Sequence, residues 1–556
     1  MKIKKLLTLA IVAFSSMIYA QNFGDVVNQI GNELKTVETK SNSITQTITQ
    51  PSNGVIEITQ TTTQIKGGKS QTEVYVFNPA DIDVNTIRTV TNKDVIEVQL
   101  LVKNKQQLIK KTVDHTKTSY VTAVMIQCAE VNNGRALTDL FKSLVPLATD
   151  ITEKRLSLKT YQDHLNWLTK EIGEVTVGEK QYGQTLSASS TYAGRLSFTV
   201  VEATAKSNKK SVYEFNAMNI NPNSILFNIS GETFSLEIQT KRKLNLVKYF
   251  VNDEQKNFTD KFEIICSSVE QARDIQKVLK NFVALSETEF NKNLPAVNST
   301  AQAFSMINGL IAKVTVNDIT YTQSFSADCV TKFSKNEASA SKNTVQEYEF
   351  NFADINKNTI SYETSRQFLT VKLLTTAKDN LIKPTADNVQ KSYSNSLEIA
   401  VSEVEEAIII ENALKFIVEE CGKNTVSYKN TSKQQLVQLL TAEIKNTTVG
   451  SKAINQTLEK SSSETGLSFK QIEVAEKSSK EKLYEFNYTD INPASVKMDT
   501  SGKNAYVVFN TRFNEKIIQY YEDGAIKNYQ NSIRVEAEGI ENARKLVAIL
   551  KELTDK

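Results

Sequence analysis

The stretch Glu214-Phe215-Asn216-Ala217-Met218-Asn219-Ile220-Asn221 decides the fold, because close copies of it occur three more times in the 556 residues. The other copies are Val76-Phe77-Asn78-Pro79-Ala80-Asp81-Ile82-Asp83, Glu349-Phe350-Asn351-Phe352-Ala353-Asp354-Ile355-Asn356 and Glu485-Phe486-Asn487-Tyr488-Thr489-Asp490-Ile491-Asn492. The phenylalanines recur with a period of 135 to 138 residues. A fixed period of this length indicates tandem copies of one domain.

Two further landmarks keep nearly constant distances from the motif phenylalanine. A strand gives way to a helix 57 residues after it, at Gly134, Ala272, Ala407 and Ala543. A Gln followed by Thr or Ser precedes it by 27 to 31 residues, at Gln46, Gln184, Gln323 and Gln456. We therefore predict four domains after a leader of residues 1–20, named repeats 1 to 4: residues 21–150, 151–287, 288–424 and 425–556.

Repeat 2 gives the predicted plan of one domain. Apolar residues three and four apart over residues 163–175 predict an amphipathic helix, and a last helix is predicted from residue 269 to about residue 286. Seven strand-like runs separated by turn-forming residues lie between the helices. These runs are residues 181–187, 195–203, 211–216, 224–229, 233–240, 246–252 and 261–267.

Seven strands followed by a helix resemble the plan of a pleckstrin-homology-like domain in the order of their elements. The resemblance implies two packed sheets with the C-terminal helix capping an open end, and a platform for protein or lipid partners. The fold class predicted is α+β, with four tandem antiparallel seven-stranded sandwiches or half-barrels, each with a preceding helix and a capping C-terminal helix. Another helix-flanked sandwich with the same strand count is the alternative.

The motif residues are interpreted as structural. The phenylalanine lies in a strand and is expected in the core, and Asn or Asp after a strand bonds nearby backbone N–H groups in turns. The tyrosine two residues before each motif phenylalanine is expected on the opposite sheet face. A calcium loop is the functional alternative, but the second copy has no carboxylate there. The twelve residues assigned to the structural motif are Phe77, Asn78, Asp81, Phe215, Asn216, Asn219, Phe350, Asn351, Asp354, Phe486, Asn487 and Asp490.

The first residues predict export. Lys2, Lys4 and Lys5 precede the apolar residues 6–14, and small residues lead to Ala20, the pattern of a signal peptide cleaved after Ala20. The apolar run of about nine residues is shorter than the roughly 20 that a membrane-spanning helix needs. These three lysines account for the formal net charge of +3, so the remainder is neutral. A periplasmic or secreted protein is predicted, with no transmembrane segment and without the basic surface of a nucleic-acid binder.

Cysteine and histidine offer no convincing catalytic or metal site. Cys128 and Cys266 occupy one equivalent position at which Val401 and Ala537 stand in repeats 3 and 4, which indicates small buried side chains. Cys329 and Cys421 both belong to repeat 3, and the sequence leaves open whether they form a disulfide. The two histidines, His115 and His164, belong to different repeats. We expect no catalytic residue, no cofactor and no bound metal.

Three classes of function remain. An exported multi-domain binding or scaffold protein fits best, with a protein or envelope component as partner, because tandem domains raise avidity. The second is a hydrolase-type enzyme with an unidentified carboxylate or hydroxyl site in one repeat. The third is an envelope-associated protein that holds an apolar ligand in the mouth of a domain. The sequence names neither the ligand nor the oligomeric state.

Overall fold

A computed structural model describes residues 22–92, 95–423 and 426–555. The predicted signal peptide and its cleavage after Ala20 lie outside the described residues. Contacts divide the chain into two compact units, Met1–Asn293 with repeats 1 and 2 and Leu294–Lys556 with repeats 3 and 4. None of the helices within the described ranges is both long and apolar enough to cross a membrane.

The first unit contains four helices and eighteen strands in its described part. The helices are α1 (Phe23–Glu33), α2 (Val131–Arg155), α3 (Tyr161–Glu171) and α4 (Val269–Lys292). The strands of repeat 1 are β1 (Val37–Glu38), β2 (Asn42–Ser52), β3 (Val55–Gln64), β4 (Ser70–Phe77), β5 (Arg88–Asn92), β6 (Val95–Leu101), β7 (Ile109–Val113), β8 (Lys117–Val121) and β9 (Ala123–Cys128). Those of repeat 2 are β10 (Val175–Val177), β11 (Lys180–Ala188), β12 (Arg195–Ala203), β13 (Asn208–Asn216), β14 (Leu226–Ser230), β15 (Thr233–Gln239), β16 (Val247–Val251), β17 (Glu254–Thr259) and β18 (Lys261–Cys266).

The second unit repeats this order of elements. Its helices are α5 (Thr300–Ile311), α6 (Val404–Gly422), α7 (Lys433–Glu443) and α8 (Ile540–Asp555). The strands of repeat 3 are β19 (Val314–Val316), β20 (Ile319–Phe325), β21 (Val330–Ala338), β22 (Asn343–Asn351), β23 (Ser361–Ser365), β24 (Phe368–Leu374), β25 (Lys383–Ala386), β26 (Val389–Gln390) and β27 (Ser396–Val401). Those of repeat 4 are β28 (Thr447–Val449), β29 (Lys452–Lys460), β30 (Gly466–Ala475), β31 (Ser478–Asn487), β32 (Lys497–Ser501), β33 (Asn504–Asn510), β34 (Gln519–Glu522), β35 (Ala525–Ile526) and β36 (Ser532–Ala537).

Each repeat is built from a six-stranded and a three-stranded antiparallel sheet. In repeat 1 the large sheet has the order β1-β2-β3-β4-β7-β8 and the small one the order β5-β6-β9, and the other repeats follow the same scheme. The α+β class and the repeated sheet pairs agree with the sequence prediction. Each repeat has nine strands and not the seven predicted, because two of its strands lack a clear alternation of apolar and polar residues. In repeat 2 these are β10, which is only three residues long, and β17, whose sequence Glu-Gln-Lys-Asn-Phe-Thr is mostly polar.

The helices also differ in length from the prediction. The first helix of repeat 2 ends at Glu171, four residues before the predicted end, because the backbone is extended at Ile172 and Val175 begins the strand β10. The capping helices are longer, since α2 continues to Arg155 and α4 to Lys292. The domain boundaries predicted at residues 150 and 287 therefore fall inside these helices. The last turns are rich in polar residues, which weakened the periodic signal.

The upstream glutamine landmark joins the two sheets of every repeat. The Nε2 of Gln184 donates to the backbone oxygen of Ile265 at 2.8 Å, and the backbone N–H of Ile265 donates to Gln184 Oε1 at 2.8 Å. The same reciprocal pair links Gln46 with Gln127, Gln323 with Ala400 and Gln456 with Glu536. All four glutamines are buried. The amide side chain thus takes the place of a peptide group from a neighbouring strand, where the backbone ladder is missing.

Cysteine pairing is settled by the structure. Cys329 and Cys421 form a disulfide that ties the end of α6 to the loop before β21. Cys128 and Cys266 are free and buried, as expected for small apolar side chains. Burial raises the pKa of Cys128 to about 11 and the pKa of Cys266 to about 12, so both thiols stay protonated at neutral pH.

Candidate functional site

The repeated motif forms two consecutive 3-10 turns that carry the chain from the large sheet to the small one. Asn216 caps the first turn by accepting from the backbone N–H of Met218 at 3.0 Å, and Asn221 caps the second by accepting from Asn223 at 3.0 Å. Asn78 and Asn351 cap the first turn of repeats 1 and 3 in the same way. Asn487 differs, since its Nδ2 donates to Asp490 at 3.2 Å instead.

The four motif phenylalanines, Phe77, Phe215, Phe350 and Phe486, are all buried. Phe215 contacts Phe262 of the small sheet, with ring centroids 4.6 Å apart. Tyr213 contacts the same Phe262 ring at 5.5 Å. The expectation that the tyrosine lies on the opposite sheet face is therefore wrong. Side chains alternate along a strand with a period of two, so residues two apart share a face.

The motif aspartate of repeat 1 joins repeat 1 to repeat 2. Arg273 of α4 donates from its Nε to Asp81 Oδ1 at 3.0 Å and from its terminal nitrogen to the other carboxylate oxygen. Glu270, one turn earlier on α4, lies 3.8 Å from the same guanidinium. Burial raises the pKa of the Asp81 carboxyl, and the charge of Arg273 opposes that rise. We call this contact of the two repeats the junction of the first unit.

Apolar side chains complete this junction. Leu108, in the loop before β7, is buried in an apolar cluster that includes residues of both repeats. The Tyr120 ring of β8 lies 5.2 Å from the Phe234 ring of β15. Val269, the first residue of α4, is buried in the same cluster.

The second unit has a junction built from equivalent residues. Arg544 of α8 donates to Asp354, the motif aspartate of repeat 3, and Glu541 lies 3.3 Å from that guanidinium. Leu381 and Tyr393 of repeat 3 are buried in the apolar cluster of repeat 4 together with Ile540. The backbone N–H of Tyr393 also donates to the oxygen of Gly502 at 2.8 Å. The two units therefore pair their repeats by the same contacts.

The motif aspartate position differs between the four copies. Asp81 and Asp354 meet the arginines of the next repeat, whereas the second copy has Asn219 and the fourth has Asp490, which is half-buried beside Asn487. Sequence reasoning found the aspartates but missed their partners, which lie 192 and 190 residues further along the chain. The one available signal was an arginine directly after the strand-to-helix landmark, at Arg273 and Arg544.

Repeat 2 has an open groove of about 480 Å³ along the gap between its two sheets. Its floor is aromatic, because Tyr213 stacks on Tyr249 with centroids 5.0 Å apart and on Phe262. The sides combine aliphatic and charged residues. They include Val200, Glu202, Lys209, Lys261, Glu263 and Ile265.

The charges of this groove are partly tied to neighbours. Lys261 pairs with Glu237 at 3.0 Å, which raises the Lys261 pKa, and Glu202 pairs with Lys180 at 2.7 Å. Glu263 accepts from Asn228 and Ser235. Burial, followed by the neighbouring Tyr249, raises the pKa of Tyr213 to about 12, so the Tyr213 hydroxyl is neutral at pH 7 and can hydrogen-bond.

The tyrosine pair is specific to the even-numbered repeats. In repeat 4 Tyr484 stacks on Tyr520 at 4.9 Å. In repeat 1 the second tyrosine is replaced by Lys111, whose Nζ lies 5.3 Å from the Tyr75 ring centroid. In repeat 3 it is replaced by Pro384, which pairs with Tyr348 across β22 and β25. The tyrosine pairs could not be recognised from the sequence alone, because it does not show which residues lie opposite each other on paired strands.

Neither histidine is among the residues that line this groove. His164 is buried on α3 with its Nδ1 2.8 Å from the backbone oxygen of Thr160, and His115 lies in the turn between β7 and β8. Among the described residues there is no group of three or more His, Cys, Asp or Glu placed to hold a metal ion. A scan against protein-family models found no match, and searches of curated proteins and of solved structures found no similar chain.

Proposed function

We propose that the chain is an exported multi-domain binding or scaffold protein that takes its partner in the groove of repeat 2. The observation that carries this proposal is the stacked pair of Tyr213 and Tyr249 on the floor of an open groove. Aromatic side chains with a polar end bind partners well, because they offer large rigid contact area together with hydrogen bonding. The disulfide between Cys329 and Cys421 is compatible with export to an oxidising compartment.

The partner class follows from the lining of the groove. Aromatic and aliphatic side chains alternate with carboxylates and ammonium groups, so a protein segment or envelope component with apolar and charged parts fits best. A purely apolar ligand is less favoured, because Glu202, Lys209 and Glu263 would lose water without gaining partners. The resemblance to pleckstrin-homology-like domains supports a platform role for each repeat, and the firm pairing of repeats supports a scaffold.

The experiment compares capture from envelope extract by the chain from residue 21 and by its Tyr249→Lys variant. Lysine stands at the equivalent position of repeat 1, so this change is compatible with the fold. Lys256→Ala on the neighbouring strand β17, outside the groove, is the matched control. We expect a partner that the parent and the control retain and that Tyr249→Lys loses, with unchanged circular dichroism. Equal capture by all three proteins would contradict the proposed site.

A further inference from the structure

The two junctions bury one set of equivalent positions on each side, and repeats 4 and 1 each leave one of these sets exposed. On the side that repeats 1 and 3 contribute, Leu108 and Leu381 are 3% and 6% exposed, and Tyr393 is 8% exposed. The equivalent residues of repeat 4, Ile517 and Tyr529, are 43% and 48% exposed. Repeat 4 therefore presents the apolar part of a junction face with nothing on it in the described part of the chain.

The loops around these two residues add to the same face of repeat 4. In repeat 3 the backbone oxygen of Asn380 accepts from Thr500 at 2.9 Å, and Gln390 of β26 donates to the oxygen of Lys503 at 2.8 Å, so both segments touch the next repeat. The corresponding segments of repeat 4 carry Phe513, 91% exposed, and Ile526 of β35, 59% exposed. We call Asp490, Phe513, Ile517, Ile526 and Tyr529 the donor face.

Repeat 1 leaves exposed the positions that repeats 2 and 4 bury on the other side of the two junctions. Val269 and Ile540 begin the capping helices α4 and α8 and are 4% and 9% exposed within their junctions. Their equivalent Val131, at the start of α2, is 48% exposed. Arg135 stands where Arg273 and Arg544 bind the motif aspartates, and it is exposed. Thr91 stands exposed where Thr500 donates across the junction of the second unit. We call Thr91, Val131 and Arg135 the acceptor face.

The two faces match in charge as well as in apolar character. Asp490 is the motif aspartate of repeat 4, as Asp81 and Asp354 are of repeats 1 and 3. Arg135 is the arginine that such an aspartate meets in both junctions. Exposed apolar side chains gathered on one face of a repeat mark an interaction surface, because they leave apolar area in contact with water.

We infer that the chain associates head to tail with a second copy of itself, the donor face of repeat 4 seating on the acceptor face of repeat 1 of the next molecule. The contact reproduces the junctions already present in both units, with Asp490 on Arg135 and with Ile517 and Tyr529 packed beside Val131. Because the two faces differ, the interface is heterologous, and each molecule keeps a free donor and a free acceptor face after one contact. Association therefore extends into chains of molecules rather than stopping at a symmetric dimer.

The test uses the whole chain from residue 21 in sedimentation velocity, at concentrations up to about 100 μM, where weak specific interfaces are populated. We expect the average molecular mass of the parent protein in solution to increase with its concentration. Tyr529→Asp and Val131→Asp change exposed residues and each should weaken self-association at least about tenfold, since a charge is placed in an apolar contact. Val474→Asp, also exposed in repeat 4 but outside the donor face, is the matched control and should associate like the parent.

Mixing the two variants gives the sharpest result. Tyr529→Asp keeps its acceptor face and Val131→Asp keeps its donor face, so an equimolar mixture should form a dimer and nothing larger. Charge reversal provides a second route, because Asp490→Arg and Arg135→Asp should each lose association and the mixture of the two should regain it. A monomer at all concentrations, a dimer unaffected by Val131→Asp, or a mixture that stays monomeric would overturn the inference and leave these faces to a different protein.

Discussion

Single residues of the motif have separable roles in the geometry of repeat 2. Phe215 fills the space between the two sheets against Phe262, whereas Asn216 holds the first turn through Met218 and donates to Ala193 at 2.9 Å. Both side chains are buried, so both contribute to stability. The ring removes far more apolar surface from water than the amide does.

Phe215→Ala is expected to destabilise repeat 2 by about 3–5 kcal/mol, the usual cost of removing a buried aromatic ring. Asn216→Ala should cost less, about 1–3 kcal/mol, through hydrogen bonds lost at buried groups. Asn223→Ala, an exposed residue of the second turn, is the control and should stay within about 0.5 kcal/mol. Hydrogen exchange read by mass spectrometry measures each effect by loss of protection in β12 and β13. Unchanged protection in Phe215→Ala together with lost partner binding would make the motif a binding site instead.

At the scale of elements, the bridging glutamine replaces a missing row of backbone hydrogen bonds. Gln184→Leu keeps the volume but leaves the N–H and oxygen of Ile265 without their partner. We expect a loss of about 2–4 kcal/mol in the free energy of unfolding, since each buried unsatisfied group costs about 1–3 kcal/mol. Thr185→Leu, exposed at the next position of β11, is the control. Urea unfolding of the fragment 22–293 decides, and equal midpoints for the two variants would refute the bridging role.

The junction of the first unit predicts that the loss of stability in an Arg273→Met variant depends on pH. Arg273→Met leaves the buried Asp81 carboxylate without its cation, which should cost about 3–5 kcal/mol at pH 7. Burial already raises the pKa of Asp81, and removal of the guanidinium raises it further. The cost therefore shrinks as the pH falls through that raised folded pKa toward the unfolded value, because a protonated carboxyl is neutral.

The measurement for this prediction is urea unfolding of the fragment 22–293 at pH 7 and at pH 5. Arg135→Met is the matched control, because it changes the equivalent arginine of repeat 1, which is exposed. Asp81→Asn combined with Arg273→Met should recover part of the loss, since no buried charge is left unpaired. A cost for Arg273→Met that is the same at both pH values, or no larger than that of Arg135→Met, would speak against the junction.

The sequence was informative wherever one residue type repeats at a fixed spacing. The period, the motif Phe215, the turn-forming Asn216 and the glutamine landmark all come from such repetition. Contacts between repeats could not be found this way, because Asp81 and Arg273 are brought together only by tertiary folding. Short polar strands such as β17 left too few apolar residues for a period of two to stand out.

At the scale of the whole molecule, the second unit repeats the features of the first, as expected if a pair of repeats was duplicated once. The Asp–Arg–Glu junction occurs within each unit, and the tyrosine pair occurs in repeats 2 and 4. The disulfide distinguishes the units, since Cys329 and Cys421 belong to the second unit while the first has only the free Cys128 and Cys266.

Reduction should therefore affect the two units differently. A disulfide that closes a loop of 92 residues is worth about 3–5 kcal/mol in the chain-entropy account. We expect dithiothreitol to lower the melting temperature of the fragment 294–555 and to leave that of the fragment 22–293 unchanged. The double variant Cys329→Ser/Cys421→Ser should melt like the reduced fragment and respond no further. A second unit that is indifferent to reductant would contradict the prediction.

The central claim is that repeats fold on one plan and are joined in pairs by a built junction. Calorimetric unfolding of the fragment 22–293, compared with residues 22–158 and 159–293 as separate fragments, tests it most directly. The account predicts that each single repeat folds, and that the pair unfolds in one cooperative transition at a higher temperature than either repeat alone, because one apolar cluster spans both. Two independent transitions at the temperatures of the separate repeats, or single repeats without any cooperative transition, would contradict it.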